Sequence, residues 1–342
     1  MKSRSYLMTI ISLIAGLALF VYVIRQAGWQ ELLDRVRSIG PGFAWVLVVS
    51  GLRPVARALA WLRCMTAADR RVGFFTVWRA RVVGDAIGNL TTAGPLLAEP
   101  ARLIFFSGRI PFAHAASSLS LEILSYLISC CVMMIAGVLA LLATVAVSPS
   151  LRRASVLALI ALLVILASVI VVLVRRWSLV AVLRSLVGRL AGGWRFGARL
   201  DHQLHHLARF ENHILDFYRQ RPRDFRLLCL YETVFHLLGV LEIWLMLRLI
   251  GGPDSATVAF IFEALNRLIN ILFAFVPARV GVDEAGTGLL AQALGFGTLT
   301  GVTMAVYRKV RVLFWTLVGL IFLALPHGSS RQPEPQAEII QE

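Results

Sequence analysis

The sequence predicts an all-α, polytopic integral membrane helix bundle of about seven spans, interrupted by two proline- and glycine-broken, re-entrant segments that form a weak internal repeat. Three observations predict it. Of 342 residues, 58% are hydrophobic and only 15% charged, with a mean hydropathy of +0.77, well outside the polarity of an ordinary soluble domain. Several apolar windows reach the roughly 20 residues needed to cross about 30 Å of hydrocarbon. The basic residues are concentrated in particular links between those windows, as they are in chains oriented by cytoplasmic positive charge.

The windows run 6–24, 43–62, 113–147, 154–174, 227–250, 256–276 and 312–325. Lys2 and Arg4 precede the first one, as in a secretory signal, but it ends in Phe20-Val21-Tyr22-Val23-Ile24-Arg25. That ending lacks a small-residue cleavage pattern, so the window reads as a retained anchor. Cys64, Cys130, Cys131 and Cys229 lie in or beside apolar runs. Their spacing suits neither zinc nor a disulfide framework, and they read as buried apolar filler.

Charge sets the orientation. Between 175 and 226 there are eleven arginines against four acids, Asp201, Glu211, Asp216 and Asp224, which places this segment in the cytoplasm. The link 63–81 carries Arg63, Arg70, Arg71, Arg79 and Arg81 against Asp69 and belongs on the same side, as does the N-terminus. The stretch 63–112 must then start and finish in the cytoplasm, dipping into the membrane between. Within 175–226, Leu200, Leu204, Leu207, Ile214 and Tyr218 recur at helical spacing among charged residues, the pattern of an amphipathic helix drawn to anionic headgroups. No base-reading motif accompanies the charge, so nucleic acid is not expected. His202, His205, His206 and His213 lack the frame of a metal site, and no metal is expected.

The functional signal lies in the two broken segments. In the first, Arg81, Asp85 and Asn89 are four apart and form one polar stripe on a helix. Gly94-Pro95 then breaks that helix, and Glu99 and Arg102 follow. In the second, Glu263, Arg267 and Asn270 share a helical face, and Pro277, Arg279 and Gly281 interrupt the chain before Asp283 and Glu284. The order acid, Asn, Pro, Glu recurs. Broken apolar segments in corresponding halves mark transporter folds whose substrate binds near the midplane, because free backbone at that depth must be packed in protein or line a watered cavity. Charges within the membrane are costly, on the order of 3 kcal/mol each at a helix centre. Glu122, Glu232, His236, Glu242, Glu263 and Arg267 therefore need partners. Glu232 with His236 and Glu263 with Arg267 are each one turn apart and suited to local pairing. Glu242 lies off the Glu232 face and reads as interfacial.

The segments 89–102 and 277–284 resemble the two signature segments of the lysylphosphatidylglycerol synthase transmembrane region, also called the flippase-like domain family, and the resemblance extends over about 6–325. Members often show Pro-Gly-Gly-x-Gly-x-x-Glu at the second site. Here Ala278 and Arg279 replace the paired glycines, while Pro277, Gly281 and Glu284 are kept. A Gly-Glu pair is common at the first site, where this chain has Ala98-Glu99. The resemblance implies movement of lipids or lipid-linked molecules between leaflets. It does not imply aminoacyl transfer, because a short polar stretch follows the last span and no aminoacyl-transferring domain is expected. On this reading 1–326 is a single flippase-like domain and 327–342 a polar, disordered tail.

The mechanism expected is a polar cavity where the broken segments meet. Arg81, Arg102, Arg267 and Arg279 would hold a headgroup phosphate. Asp85, Glu99, Glu263 and Glu284 would orient those arginines or exchange protons, while Asn89, Pro95, Asn270, Pro277 and Gly281 shape the site. The partners expected are membrane lipids, anionic or phosphate-bearing, in the cytoplasmic (inner) membrane of a bacterium. A second copy or a lipid-biosynthesis protein is left open. No cofactor and no enzyme activity are expected. Two alternatives remain: a secondary transporter of a small solute built on the same broken helices, and an integral membrane transferase acting on a lipid carrier, whose usual Asp-rich metal motifs do not occur here. The region 285–307 either re-enters or spans. Arg308, Lys309 and Arg311 favour re-entry, which puts the C-terminal tail outside.

Overall fold

Residues 40–90, 94–175, 217–272 and 282–325 are described by a computed structural model, and every regular element within them is helical. The anchor expected at 6–24, the amphipathic stretch and its histidines as far as residue 216, Pro277, Arg279, Gly281 and the polar tail lie outside the described residues.

The helices are α1 (Phe43–Cys64), α2 (Phe74–Leu90), α3 (Gly94–Ile104), α4 (Phe112–Thr144), α5 (Pro149–Arg175), α6 (Pro222–Leu249), α7 (Ala256–Leu272), α8 (Val282–Ala293) and α9 (Thr298–Ala324). Among the described residues, four segments are long and apolar enough to cross a membrane: Gly40–Cys64, Phe112–Thr144, Pro149–Leu173 and Pro222–Leu249. Local chemistry starts and stops them. Pro149 and Pro222 open α5 and α6, where a missing N–H costs nothing. Asp224 in the first turn and Arg248 in the last complement the dipole of α6.

Contacts at the chain reversals define two ends of the bundle. At one end Trp61 meets Phe106 at 5.1 Å, His114 lies 3.2 Å from Asp69, and Arg109 donates to Thr76 at 2.9 Å. Arg221 donates to the carbonyls of Arg63 and Met65 at the same end. The basic link 63–81 and the start of α6 therefore share a side, as their charge predicts. At the other end Phe43 packs on Tyr307 and Phe262 on Phe296. Two apolar cores occupy these ends. One holds Trp61, Phe106, Leu121 and Leu228, and the other Val46, Met246, Phe262 and Met304.

Two helical hairpins enter from opposite ends. The α2–α3 pair enters at the basic end and returns to it, as the dip expected in 63–112 requires. The α7–α8 pair enters at the other end: Gly286 of α8 lies against Ile269 of α7, and Phe296, just beyond α8, is back beside Phe262 near the start of α7. With 12 residues, α8 rises about 18 Å at 1.5 Å per residue, too short to cross. It turns at Gly295 and Gly297, both at positive φ, where a side chain would be strained.

The last helix corrects two expectations. It begins at Thr298 rather than near 312, so Arg308, Lys309 and Arg311 lie inside it instead of marking a boundary. Its far end is capped by Arg79, which donates to the carbonyls of Phe322 and Leu325. The final helix thus ends on the side of the basic link, opposite to the side expected for the tail. The sequence counted those basic residues as a loop because nothing local reveals that other helices supply their partners.

Small residues bring the helices close, as they do in membrane bundles where apolar burial alone discriminates poorly between lipid and protein. Gly51 of α1 lies against Trp315 of α9, Gly319 of α9 against Ala86 of α2, and Gly137 of α4 against Ala264 of α7. In contrast the stretch 156–174 of α5 is apolar on all sides but for Ser168 and turns Leu157, Ile160, Val164 and Ile165 outward. It leans on α4 where Leu162 meets Cys130, Cys131 and Met134. Cys64, Cys130 and Cys131 are buried as expected, but Cys229 is exposed, because it falls on the outward face of α6.

Candidate functional site

Between the two apolar cores lies a layer of charge. Arg53 sits at the middle of α1 and Arg311 at the middle of α9, with His236 at the middle of α6. Around them Glu122 is fully buried, Glu242 is 1% exposed, Glu232 3% and Glu263 5%. Groups this deep are held by one another, since a bare charge at this depth is strongly disfavoured.

The second broken segment is wired into the scaffold. Glu263 of α7 accepts from Arg267 one turn along at 2.7 Å, the local pair its spacing predicts. It also accepts from Arg53 of α1 at 3.2 Å. Arg53 reaches on to Glu242 at 3.0 Å, and Glu242 takes Arg311 as its second partner. Glu242 is therefore a buried bridge and not interfacial: a helix away from the Glu232 face, it meets α1 and α9. Gly239 makes room for this knot, since a Cβ there would come within 2.6 Å of the Glu263 carboxylate. Asn266 accepts from Arg308, while Asn270 is partly buried at the open end of α7.

The first broken segment is wired to itself. Arg102 of α3 donates to Asp85 of α2 and to Glu99 on its own helix. Gly84 of α2 gives that side chain its space, because any Cβ there would collide with it. Asn89 donates to Thr316 of α9 at 3.3 Å. Arg81, although on the Asp85 stripe, turns instead to Glu122 of α4. Pro95 stands in the opening turn of α3, and Glu284 near the start of α8.

The described parts of the two segments do not meet face to face as expected. They are joined through α1 and α4. Glu122 bridges Arg81 and Arg57. The Arg57 guanidinium stacks 3.6 Å from the Tyr126 ring, and the Tyr126 hydroxyl accepts from Arg267 at 3.2 Å. Arg53, Arg57 and Arg267 converge on one ring, with their guanidinium carbons 4.7, 5.4 and 5.1 Å from the Phe235 centroid. A quadrupole attracts each of them, while the three charges repel one another, so the cluster favours an anion between them. The Nε groups of Arg53, Arg81 and Arg267 are buried without a hydrogen-bond partner among the described residues.

Sequence reasoning missed Arg53 and Arg57. Both lie inside the apolar window 43–62, one turn apart around Pro54, and two arginines within a span were the available signal. The expected Glu232–His236 pair does not form. Both residues turn to Ser129 of α4, Glu232 at 3.2 Å and His236 at 2.9 Å. At (i, i+4) the two can meet, but the tighter contact lies across the helix interface.

A family model described as the lysylphosphatidylglycerol synthase TM region matches residues 9–319. No curated protein and no solved structure matches the chain.

Proposed function

Since the chain belongs to the family of the lysylphosphatidylglycerol synthase transmembrane region, an integral membrane family linked to phospholipid, we propose that it is a lipid translocase passing a phosphate-bearing headgroup between leaflets. The observation that carries this reading is the mid-depth arginine cluster Arg53, Arg57 and Arg267, set between hairpins that enter from opposite ends. Guanidinium matches phosphate oxygens in a bidentate fork. Here each arginine already carries a carboxylate that such an oxygen replaces: Glu263 on Arg53 and Arg267, and Glu122 on Arg57. Exchanging carboxylate for phosphate keeps the number of charge-assisted bonds nearly constant, which flattens the barrier to moving a headgroup across hydrocarbon. Arg81 and Arg102 extend the ladder toward the basic end, where Asp85 and Glu99 play the same part. The acyl chains stay in the bilayer beside α5. The basic end faces the cytoplasm, by the charge of 63–81 and 175–226. Asn89, Pro95, Asn270 and Glu284, with Pro277, Arg279 and Gly281 outside the described residues, belong to the same proposed headgroup path.

Proteoliposomes carrying a headgroup-labelled phospholipid and bleached from outside by dithionite test the proposal. The wild type exposes inner-leaflet label, and Arg57→Gln and Arg267→Gln slow that exposure on the order of tenfold. Equal rates in all three proteins, or uptake of a soluble solute with no change in lipid sidedness, would overturn it.

A further inference from the structure

We infer that Glu232 is a proton-binding residue that takes up a proton when phosphate occupies the arginine cluster. The inference rests on the translocase reading for its context, and on the surroundings of Glu232 for its substance.

Among the four buried glutamates of the layer, three each bridge two arginines: Glu122 binds Arg57 and Arg81, Glu242 binds Arg53 and Arg311, and Glu263 binds Arg53 and Arg267. Glu232 is different. Among the described residues its one ion-pair partner is Arg57, 3.9 Å away and held more closely by Glu122. Its Oε1 has no hydrogen-bond partner among the described residues. The charges bearing on it are Arg57 from α1, Arg81 from α2 and Glu122 from α4. The titratable thiols of Cys64 on α1 and Cys229 on its own helix are also near. Across Ser129 stands His236, which itself faces Arg267 and Glu263 of α7 and Arg53 of α1.

Counting hydrogens at Ser129 shows that the carboxyl is satisfied in either protonation state. The hydroxyl has one proton and two lone pairs. It lies 2.9 Å from the carbonyl of Tyr126, 3.2 Å from Glu232 Oε2 and 2.9 Å from His236 Nε2. With Glu232 ionised, Ser129 donates to Oε2. With Glu232 protonated, the carboxyl donates to Ser129, which turns its own proton to the Tyr126 carbonyl. No backbone movement separates the two arrangements. A headgroup phosphate on Arg57 brings a further negative charge beside Glu232 and offsets the guanidinium that favours its ionised form. That change favours the protonated carboxyl. The proton comes from bulk water, resides on Glu232 and leaves when the phosphate does, so one proton accompanies each monoanionic headgroup.

Calorimetric binding of dihexanoylphosphatidylglycerol to the full chain in detergent, in HEPES and in Tris near neutral pH, reads proton uptake directly. The wild type takes up about one proton per lipid, and its affinity falls by up to tenfold per pH unit as pH rises. Glu232→Gln binds without uptake or pH dependence, and Glu232→Asp restores both. Lipid binding with no uptake by the wild type, or the same uptake in Glu232→Gln, overturns the proton inference and leaves the translocase reading standing. Absence of lipid binding, or binding unaffected by Arg57→Gln, defeats the arginine cradle itself.

Discussion

The two broken hairpins carry similar residues and pair their acids differently. In α2–α3, Arg102 finds Asp85 and Glu99 within the hairpin, so the acids of this hairpin hold its own arginine, and its ties to other helices run through Arg81 to Glu122 of α4 and Asn89 to Thr316 of α9. In α7–α8, Glu263 and Arg267 are fastened to Arg53 of α1 and Tyr126 of α4, so any displacement of that hairpin must break bonds to the scaffold. The exposure of the acids agrees: Asp85 is 48% exposed, Glu263 6%. The difference teaches that a recurring order of letters in two halves does not give a recurring electrostatic circuit. The packing of the chain decides whether an acid pairs within its own hairpin or with the scaffold.

That contrast predicts a graded set of stabilities, measurable as unfolding of the detergent-solubilised protein. The largest loss belongs to the link between the circuits. Glu122→Ala leaves Arg57 and Arg81 without their shared carboxylate and costs about 3–5 kcal/mol, the cost of breaking a buried pair. Glu263→Gln keeps one acceptor but strips the charge from Arg53 and Arg267, for a loss of about 2 kcal/mol. Gly239→Ala presses a methyl group on the Glu263–Arg53 contact and costs about 1–2 kcal/mol by overpacking. Asp85→Asn costs less than about 1 kcal/mol, because the site is half open and Arg102 keeps Glu99. Should Asp85→Asn destabilise as much as Glu263→Gln, the first hairpin is pinned as firmly as the second, and the contrast is wrong. Reversal of the order of Glu122→Ala and Gly239→Ala would mean that packing, not ion pairing, holds the layer together.

Part of the charge layer was legible from spacing. The pairing of Glu263 with Arg267 follows from their one-turn separation, and the dip of 63–112 from charge placement on both sides of it. The pairing of Arg102 with Asp85 was not legible, because it depends on how tightly the chain turns between α2 and α3. Arg53 and Arg57 were hidden by the apolar run that contains them, and Glu242 by a helical face that points away from Glu232.

By itself the sequence determined the solvent and the element type. So many apolar residues in long windows are stable only in a bilayer, and backbone groups there must bond within helices. Charge in the links determined that 63–81 and the start of α6 share an end. Tertiary structure alone decided the opposite entry of the two hairpins, the end at which α9 finishes, and the bridging of Glu122, Glu242 and Glu263 between helices. The physical reason is range. Hydrophobic windows and one-turn spacings are local properties of a chain, whereas a buried charge is settled by whichever opposite charge the packing of other helices brings within a few ångströms.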